Sequence, residues 1–487
     1  MMRAMAVKCI NKYNRLSKEV RASFWFLVCA FFQRGISFIT TPVFTRLMTT
    51  AEYGEFGVFY SWFSIVSIIT TLNLFYGVYV RGLVVFDDRK QQFTSSMQAL
   101  MLTLVVVWTC IYLIFRSYIN SLLRLSTWKM VCMLIIIWTN GVFSFWAAEQ
   151  RVDVEYRKLT IVSAITVLLL PIVQIALMQF MSDKVNARIV GMVLVNILFY
   201  PMLFIKHMLK GKVFFSKAVW KYALVFNIPL VPHYLSQSIL NSADRIMIER
   251  MIGTGEAGIY NLAYSISQIM TVFNSALMQA LEPWLYKKIK NNEVESIKRI
   301  AYPAFLLIAI VNLLLIALAP ELVGIFAPKE YTNAIWVIPP VALSVYFSFL
   351  YTFFAVFEFY YKKTKYITVA TMAGALLNIV LNYCFIRLYG YYAAGYTTLA
   401  CFILYAVFHY VFMQRLIKEN LNNAVVYEPK ALLFISLACL ACGGVLLMTY
   451  NHPIIRYGFV ICILGVAIAN YKNIRLFILR IIENRKA

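Results

Sequence analysis

Along the chain, stretches of about twenty mostly apolar residues alternate with short polar connections. Their cores lie near 24–45, 57–80, 95–115, 129–148, 159–181, 187–206, 223–247, 257–279, 301–320, 333–356, 366–387, 392–413, 431–449 and 454–471. A run of that length spans the roughly 30 Å hydrocarbon core of a bilayer at about 1.5 Å of helical rise per residue. In hydrocarbon, every backbone N–H and C=O must find its partner within the protein, which leaves helices or closed barrels. The pattern predicts an all-α polytopic membrane protein with about 14 transmembrane helices. No connection exceeds about 20 residues, so function is expected to be built from the helices themselves.

Composition agrees: 62% of the 487 residues are hydrophobic and 14% charged, against about 45–50% and 25% in soluble chains. The net charge of +24 would suggest nucleic acid only if it formed a patch on a soluble face. Instead the Lys and Arg residues sit between the apolar runs. With an even number of crossings, 33 of the 45 fall on the side that holds both termini and ten on the other. The positive-inside bias places both termini in the cytoplasm and removes the case for nucleic acid. The basic N-terminal stretch is followed by a run too long for a signal peptide, and it is expected to stay in the mature chain. Eight of the nine Cys, including Cys29, Cys110, Cys132 and Cys439, lie within apolar runs, where they read as small packing residues.

An internal repeat is legible. Arg46, Glu52, Gly54, Phe56 and Tyr60 recur as Arg250, Glu256, Gly258, Tyr260 and Tyr264, each at an offset of 204. Six spans separate the two copies, so the repeat is parallel. The expected organisation is a basic N-terminus (1–21), a six-helix bundle (22–209), a linker (210–222), a second six-helix bundle (223–416), two further helices (417–471) and a basic tail (472–487).

Ionisable residues inside spans are costly and are candidates for function. Arg34, beside Gln33, sits near the middle of the first span, about 15 Å of helix from either end, too far for easy snorkelling. Its planar fork suits phosphate oxygens, with an ion pair to an acid on another helix as the structural alternative. No acid is expected at the centre of any span. The seventh span, FNIPLVPHYLSQSILNSADRIMI, carries Pro229 and Pro232, which predict a kink and a gating element, as Pro42 does in the first. His233, Gln237, Asn241 and Asp244 then follow at spacings of four, four and three, a polar stripe on one helix face. It would line a cavity or bond to neighbouring helices. Asp244 and Arg245 approach the end of that span, where an interfacial ion pair is the alternative. Asn378 and Asn382, at i and i+4, share a face, and Arg46 and Arg250 mark the repeated connections. Arg456, in the last connection, is expected to tolerate alanine. Catalytic signatures are missing: no Walker A sequence, no GxSxG, and four His (His207, His233, His409, His452) without metal spacing.

RGISFITTPVFTRLMTTAEYGEFGVFYSW, IPLVPHYLSQSILNSADRIMIERMIGTGEAGIYNLAYSIS and KKTKYITVATMAGALLNIVLNYCFIRLYGYYAAGYTTLACF resemble the bacterial polysaccharide flippases of the Wzx type. These share a superfamily with the lipid II flippase MurJ and the multidrug MATE transporters. The resemblance covers nearly the whole chain. It implies two six-helix bundles facing a central cavity, alternating access, and residence in the bacterial cytoplasmic (inner) membrane. The implied substrate is an oligosaccharide repeat unit on undecaprenyl pyrophosphate, moved to the periplasmic leaflet for capsule, O-antigen or exopolysaccharide synthesis. Membrane lipids and other polysaccharide-assembly proteins are the implied partners. Arg34 lies where the flippase cavity of MurJ has an arginine on its first helix. The expected substrate contacts are Arg34, Gln33, His233, Gln237, Asn241, Asp244 and Arg245. No cofactor or metal is expected, and coupling to membrane potential, H+ or Na+ stays open. The alternative is an ion-coupled multidrug exporter of the same fold, disfavoured by the absence of a central acid. A remoter one is a membrane-embedded glycosyltransferase or polymerase, for which the only acids in the first outer loop, Glu52 and Glu55, offer little.

Overall fold

The computed structural model describes residues 18–421 and 424–469; a few side chains on its helices, Arg34 among them, lie outside that description. Every regular element among the described residues is helical. In chain order they are α1 (Lys18–Leu47), α2 (Thr50–Thr71), α3 (Gly77–Val85), α4 (Lys90–Ile114), α5 (Arg116–Leu123), α6 (Thr127–Val152), α7 (Tyr156–Phe180), α8 (Lys184–Gly211), α9 (Lys217–Asn227) and α10 (Val231–Met251). There follow α11 (Thr254–Ser267), α12 (Ile269–Lys290), α13 (Lys298–Ala317), α14 (Ala319–Phe326), α15 (Ile338–Tyr360), α16 (Thr364–Tyr389), α17 (Tyr392–Asn420), α18 (Pro429–Met448) and α19 (Pro453–Ala469). Among the described residues, nine helices are long and apolar enough to cross a bilayer by length and composition. Three predicted spans are each divided in two, as α2/α3, α9/α10 and α11/α12, and α5 and α14 are short additions.

The breaks have local causes. Between α2 and α3, Leu72 and Asn73 take positive φ of 50° and 54°, a conformation that Asn tolerates better than most residues. Between α9 and α10, Ile228–Leu230 tightens to a 3-10 turn around Pro229, and Pro232 occupies the first turn of α10, where a missing N–H costs nothing. Asn227 Nδ2 donates to the carbonyl of Leu72 at 2.7 Å and so satisfies one of the groups freed by the first break. Three helices carry side-chain N-caps, with Ser126, Asp183 and Ser216 accepting from the first turns of α6, α8 and α9.

The chain divides into two units. The first holds Met1–Leu47 and Trp62–Leu235. Its core is aromatic: the Tyr79 ring meets Phe145 edge-on at 4.6 Å and stacks on Phe93 at 5.8 Å. Beside it His207 of α8 is held between Glu149 of α6 (Nε2 to Oε2, 2.9 Å) and Gln98 of α4 (2.5 Å to Nδ1).

The second unit holds Met48–Ser61 and Ser236–Ala487. Helix α15 is apolar on nearly all sides and is buried accordingly, its Phe349 and Phe353 packed against Phe305 of α13. At the far end of α15, Glu358 meets His409 Nδ1 of α17 at 2.6 Å, both side chains fully enclosed. Replacing His409 with alanine would strand that carboxylate. A loss of about 3–5 kcal/mol is expected, read as a large fall in the thermal midpoint, whereas Glu358→Gln keeps a hydrogen-bonding partner and should cost much less. Equal midpoints for His409→Ala and wild type would show that the pair contributes nothing.

The repeated segments meet within this unit. A Cβ on Gly54 would lie 1.9 Å from the carbonyl oxygen of Thr254, and one on Gly258 would lie 2.0 Å from that of Thr50. Thr50 and Thr254 are themselves 204 apart, so α2 and α11 cross at T-x-x-x-G on both sides, in a pairwise symmetric contact that only small residues permit.

The last two helices are bound more firmly than their sequence suggests. Tyr450 donates to the carbonyl of Ile316 at 3.0 Å, and Arg456, 2% exposed, forks onto Glu321 at 2.8 and 2.9 Å while donating to the carbonyl of Ala317. The expectation that Arg456 tolerates alanine is therefore corrected: it joins α19 to α13 and α14. Arg456→Ala should cost about 1.5–3 kcal/mol, measurable as a lower midpoint in a thermal unfolding series.

Candidate functional site: a polar helix backed by a buried carboxylate

Helix α10 carries most of the polar residues singled out in the sequence, and the structure sorts them into two groups. His233, Gln237 and Asn241 are half-buried or exposed along the stripe. Asn241 Nδ2 donates to the carbonyl of Gln237 at 2.7 Å, Gln237 Nε2 reaches the Tyr405 hydroxyl at 3.5 Å, and the Tyr264 hydroxyl donates to Asn241 Oδ1 at 3.3 Å. His233 lies against the ring of Tyr234.

Asp244 turns inward and is 1% exposed. Three neighbours donate to its carboxylate: Tyr260 of α11 to Oδ2 at 2.6 Å, Thr398 of α17 to Oδ2 at 2.9 Å, and Asn382 of α16 to Oδ1 at 2.6 Å. Asn382 also donates to Asn378 Oδ1 at 3.1 Å and accepts from Thr397. Charge-assisted bonds of this kind make a carboxylate tolerable away from water. Among the described residues Asp244 and Arg245 do not form the ion pair offered as the alternative, and the second unit does hold an enclosed acid near the end of a span, which weakens the argument against cation coupling. Asn378 and Asn382 do share the face their spacing predicts. Tyr260, Thr397 and Thr398 could not be found from spacing, since they lie 16, 153 and 154 positions from Asp244.

Arg245 is the counterpart. It is 8% exposed, its guanidinium carbon sits 4.1 Å from the centre of the Tyr264 ring, and NH1 donates to the carbonyl of Asn241 at 2.9 Å. Its Nε has no hydrogen-bond partner, and among the described residues no carboxylate lies within ion-pair distance. A cation held by a ring and a carbonyl, with a donor left over beside Asn241 and Gln237, is suited to an anion.

The other selected residues are more dispersed. The side chain of Arg34 lies outside the described residues, although α1 runs through its position. Gln33 Nε2 lies 3.8 Å from Cys29 Sγ. Helix α1 continues through Pro42, whose carbonyl accepts from Arg46 NH1 at 2.9 Å. Arg250 ends α10 and is exposed. Among the described residues no group of three or more His, Cys, Asp or Glu is placed to hold a metal.

Residues 20–288, more than half of the chain, match the family described as polysaccharide biosynthesis protein. The chain belongs to that family. Residues 229–384, which contain Asp244 and Asn382, also match the MatE family. A relative in Haemophilus influenzae, an uncharacterized membrane protein, is 24% identical over 237 residues; the match spans 47% of this chain and 58% of that protein. Among solved structures, the lipid II flippase MurJ in an inward closed conformation aligns with a TM-score of 0.64 at 15% identity, over 92% of this chain and 99% of its own. An inward-facing multidrug resistance MATE family transporter of the MOP superfamily aligns at 0.58 and 12%, over 80% and 96%. At these identities the likeness establishes the fold. The protein is an integral multi-pass membrane protein with the all-helical fold of these transporters.

Proposed function

We propose that this member of the polysaccharide biosynthesis family is a flippase for oligosaccharide repeat units carried on undecaprenyl pyrophosphate, moving them from the cytoplasmic to the periplasmic leaflet of the inner membrane. The observation that carries the reading is Arg245, enclosed, without an acid partner, and beside a stripe of carboxamides. Pyrophosphate and sugar hydroxyls cannot enter hydrocarbon unpaired without a large cost. A helix face offering one fixed cation and neutral hydrogen-bonding groups replaces the water they lose, while the isoprenoid chain stays in lipid. Arg34, singled out in the sequence, is proposed as a further cation for the substrate's phosphates. An anion leaving an inside-negative compartment gains about 2.3 kcal/mol per charge per 100 mV. Asp244 is an enclosed carboxylate, a group that can exchange H+ or hold Na+, so coupling to either is part of the proposal.

The test is leaflet transfer of a fluorescent undecaprenyl-pyrophosphate oligosaccharide in proteoliposomes at a set membrane potential. Transfer should require the protein and should fall to the level of empty vesicles in correctly inserted Arg34→Ala. A second reading, an ion-coupled multidrug exporter, is favoured by the enclosed Asp244 and the MatE match. Transport of a small organic cation with no movement of the lipid-linked sugar would establish that reading instead.

A further inference from the structure

The first unit has a groove that the proposed transport does not use. It lies between α3 and α9, two short helices that each turn one face inward. On α3, Val78, Tyr79, Gly82 and Leu83 are buried, and a Cβ at Gly82 would strike the Phe93 ring at 2.0 Å, so α3 is seated tightly on α4. On α9, Val219, Ala223 and Asn227 are buried, Trp220 Nε1 donates to the carbonyl of Ser96 at 3.1 Å, and Tyr222 meets the Phe86 ring at 5.4 Å. The opposite faces form two adjoining shallow, open depressions of about 620 and 610 Å³, the first along α3 and the second along α9, and Arg81 lines both.

The lining is of one kind. Apart from Arg81 and Lys221 it consists of Gly, Ala, Val, Phe and Tyr, including Tyr76, Val80, Val225 and Phe226. Arg81 is steered by the Phe226 ring, whose centre is 5.6 Å from its guanidinium carbon. Neither cation has a carboxylate partner among the described residues. Arg81 lies six residues before Asp87, and Lys221 five after the cap Ser216. Both therefore sit about 7–9 Å of helix rise below the end of the bundle that carries the excess of Lys and Arg. With the bilayer surface at that end, as the bias of Lys and Arg predicts, this is the depth at which headgroup meets acyl chain.

We propose that this groove binds one anionic phospholipid, its phosphate between Arg81 and Lys221 and an acyl chain along Tyr76, Val80 and Val225. A zwitterionic lipid is disfavoured because no carboxylate is there to take its ammonium group. An oligosaccharide headgroup is disfavoured because the lining has no Asn, Gln, Ser, Thr, Asp or Glu to replace the water on its hydroxyls. The inference does not depend on the transport reading, and its test measures binding alone.

The full-length protein, purified in detergent, is titrated with phosphatidylglycerol and observed by native mass spectrometry. One phosphatidylglycerol per chain should survive delipidation. Arg81→Gln/Lys221→Gln should weaken that binding about tenfold to thirtyfold, and Val80→Trp, which fills the chain channel and leaves both charges, should weaken it too. Lys362→Gln/Lys363→Gln, which removes two exposed cations from a connection of the second unit, should leave it unchanged. Equal retention of phosphatidylethanolamine would overturn the proposal, as would an equal loss in the control pair. Displacement by undecaprenyl pyrophosphate at lower concentration than by phosphatidylglycerol would overturn it in favour of a substrate-docking role.

Discussion

Gly54→Val should cost the second unit its native packing. The new side chain would start 1.9 Å from the carbonyl oxygen of Thr254 and 2.6 Å from the amide of Gly258. Overpacking a core against side chains typically costs about 1–3 kcal/mol because rotamers can yield; here the obstacles are backbone atoms of a helix, so α2 and α11 must separate. Two consequences follow from the symmetry of the crossing. Gly258→Val should be as damaging as Gly54→Val, since its Cβ meets the carbonyl of Thr50 in the same way. The double variant should cost less than the sum, because one separation of the helices relieves both clashes. Size-exclusion profiles after graded heating would measure this, with Gly35→Ala, which meets nothing within 4 Å, as the neutral control. Thermal midpoints of Gly54→Val and Gly258→Val equal to wild type would remove the crossing as a determinant of packing.

That crossing also shows how far the sequence reaches. The offset of 204 identified Gly54 with Gly258 as copies, and nothing in it indicated that the copies touch. Contact between them needs a symmetry axis, and an offset carries only order. Helices were legible because apolar length is written locally. The break at Ile228–Leu230 was announced by Pro229 and Pro232, whereas the break at Leu72–Asn73 and the end of α11 at Ser267 carry no proline and were read as continuous spans. Partners of buried polar groups were the least legible. His207 and His409 read as scattered residues, yet each meets a glutamate, Glu149 on α6 and Glu358 on α15, at 2.9 and 2.6 Å. In the order of predicted spans these are the fourth and sixth of the first bundle and the fourth and sixth of the second. Each pair spans 50 residues or more of sequence, so no local spacing could reveal it. Sequence distance likewise concealed two of the three donors of Asp244, Asn382 and Thr398, which lie 138 and 154 positions away, so the spacing gave no sign that this acid is enclosed.

Asp244 and Arg245 are neighbours in sequence that face different surroundings, and replacing them one at a time should separate binding of the anion from its coupling. Arg245→Ala removes the one cation of the α10 stripe and should lower affinity for a lipid-linked pyrophosphate about tenfold to a hundredfold, the scale of hydrogen bonds to a charged group at roughly 1.5–3 kcal/mol. Arg245→Lys should recover part of this, because the charge returns without the planar fork that matches phosphate oxygens. Asp244→Asn should act in the opposite sense on binding. The carboxylate lies one residue from Arg245, and its removal leaves the stripe more positive, so the anion should bind at least as tightly. Asparagine cannot accept three donors as a carboxylate does, nor exchange a proton or hold Na+ by charge, so the dependence of transfer on an H+ or Na+ gradient should vanish. The measurement is paired: equilibrium binding of the lipid-linked substrate in detergent, and leaflet transfer with and without an imposed gradient. Wild-type binding by Arg245→Ala would end the case for α10 as the anion site. Loss of binding in Asp244→Asn with the gradient dependence intact would show that the carboxylate organises the substrate pocket and takes no part in coupling.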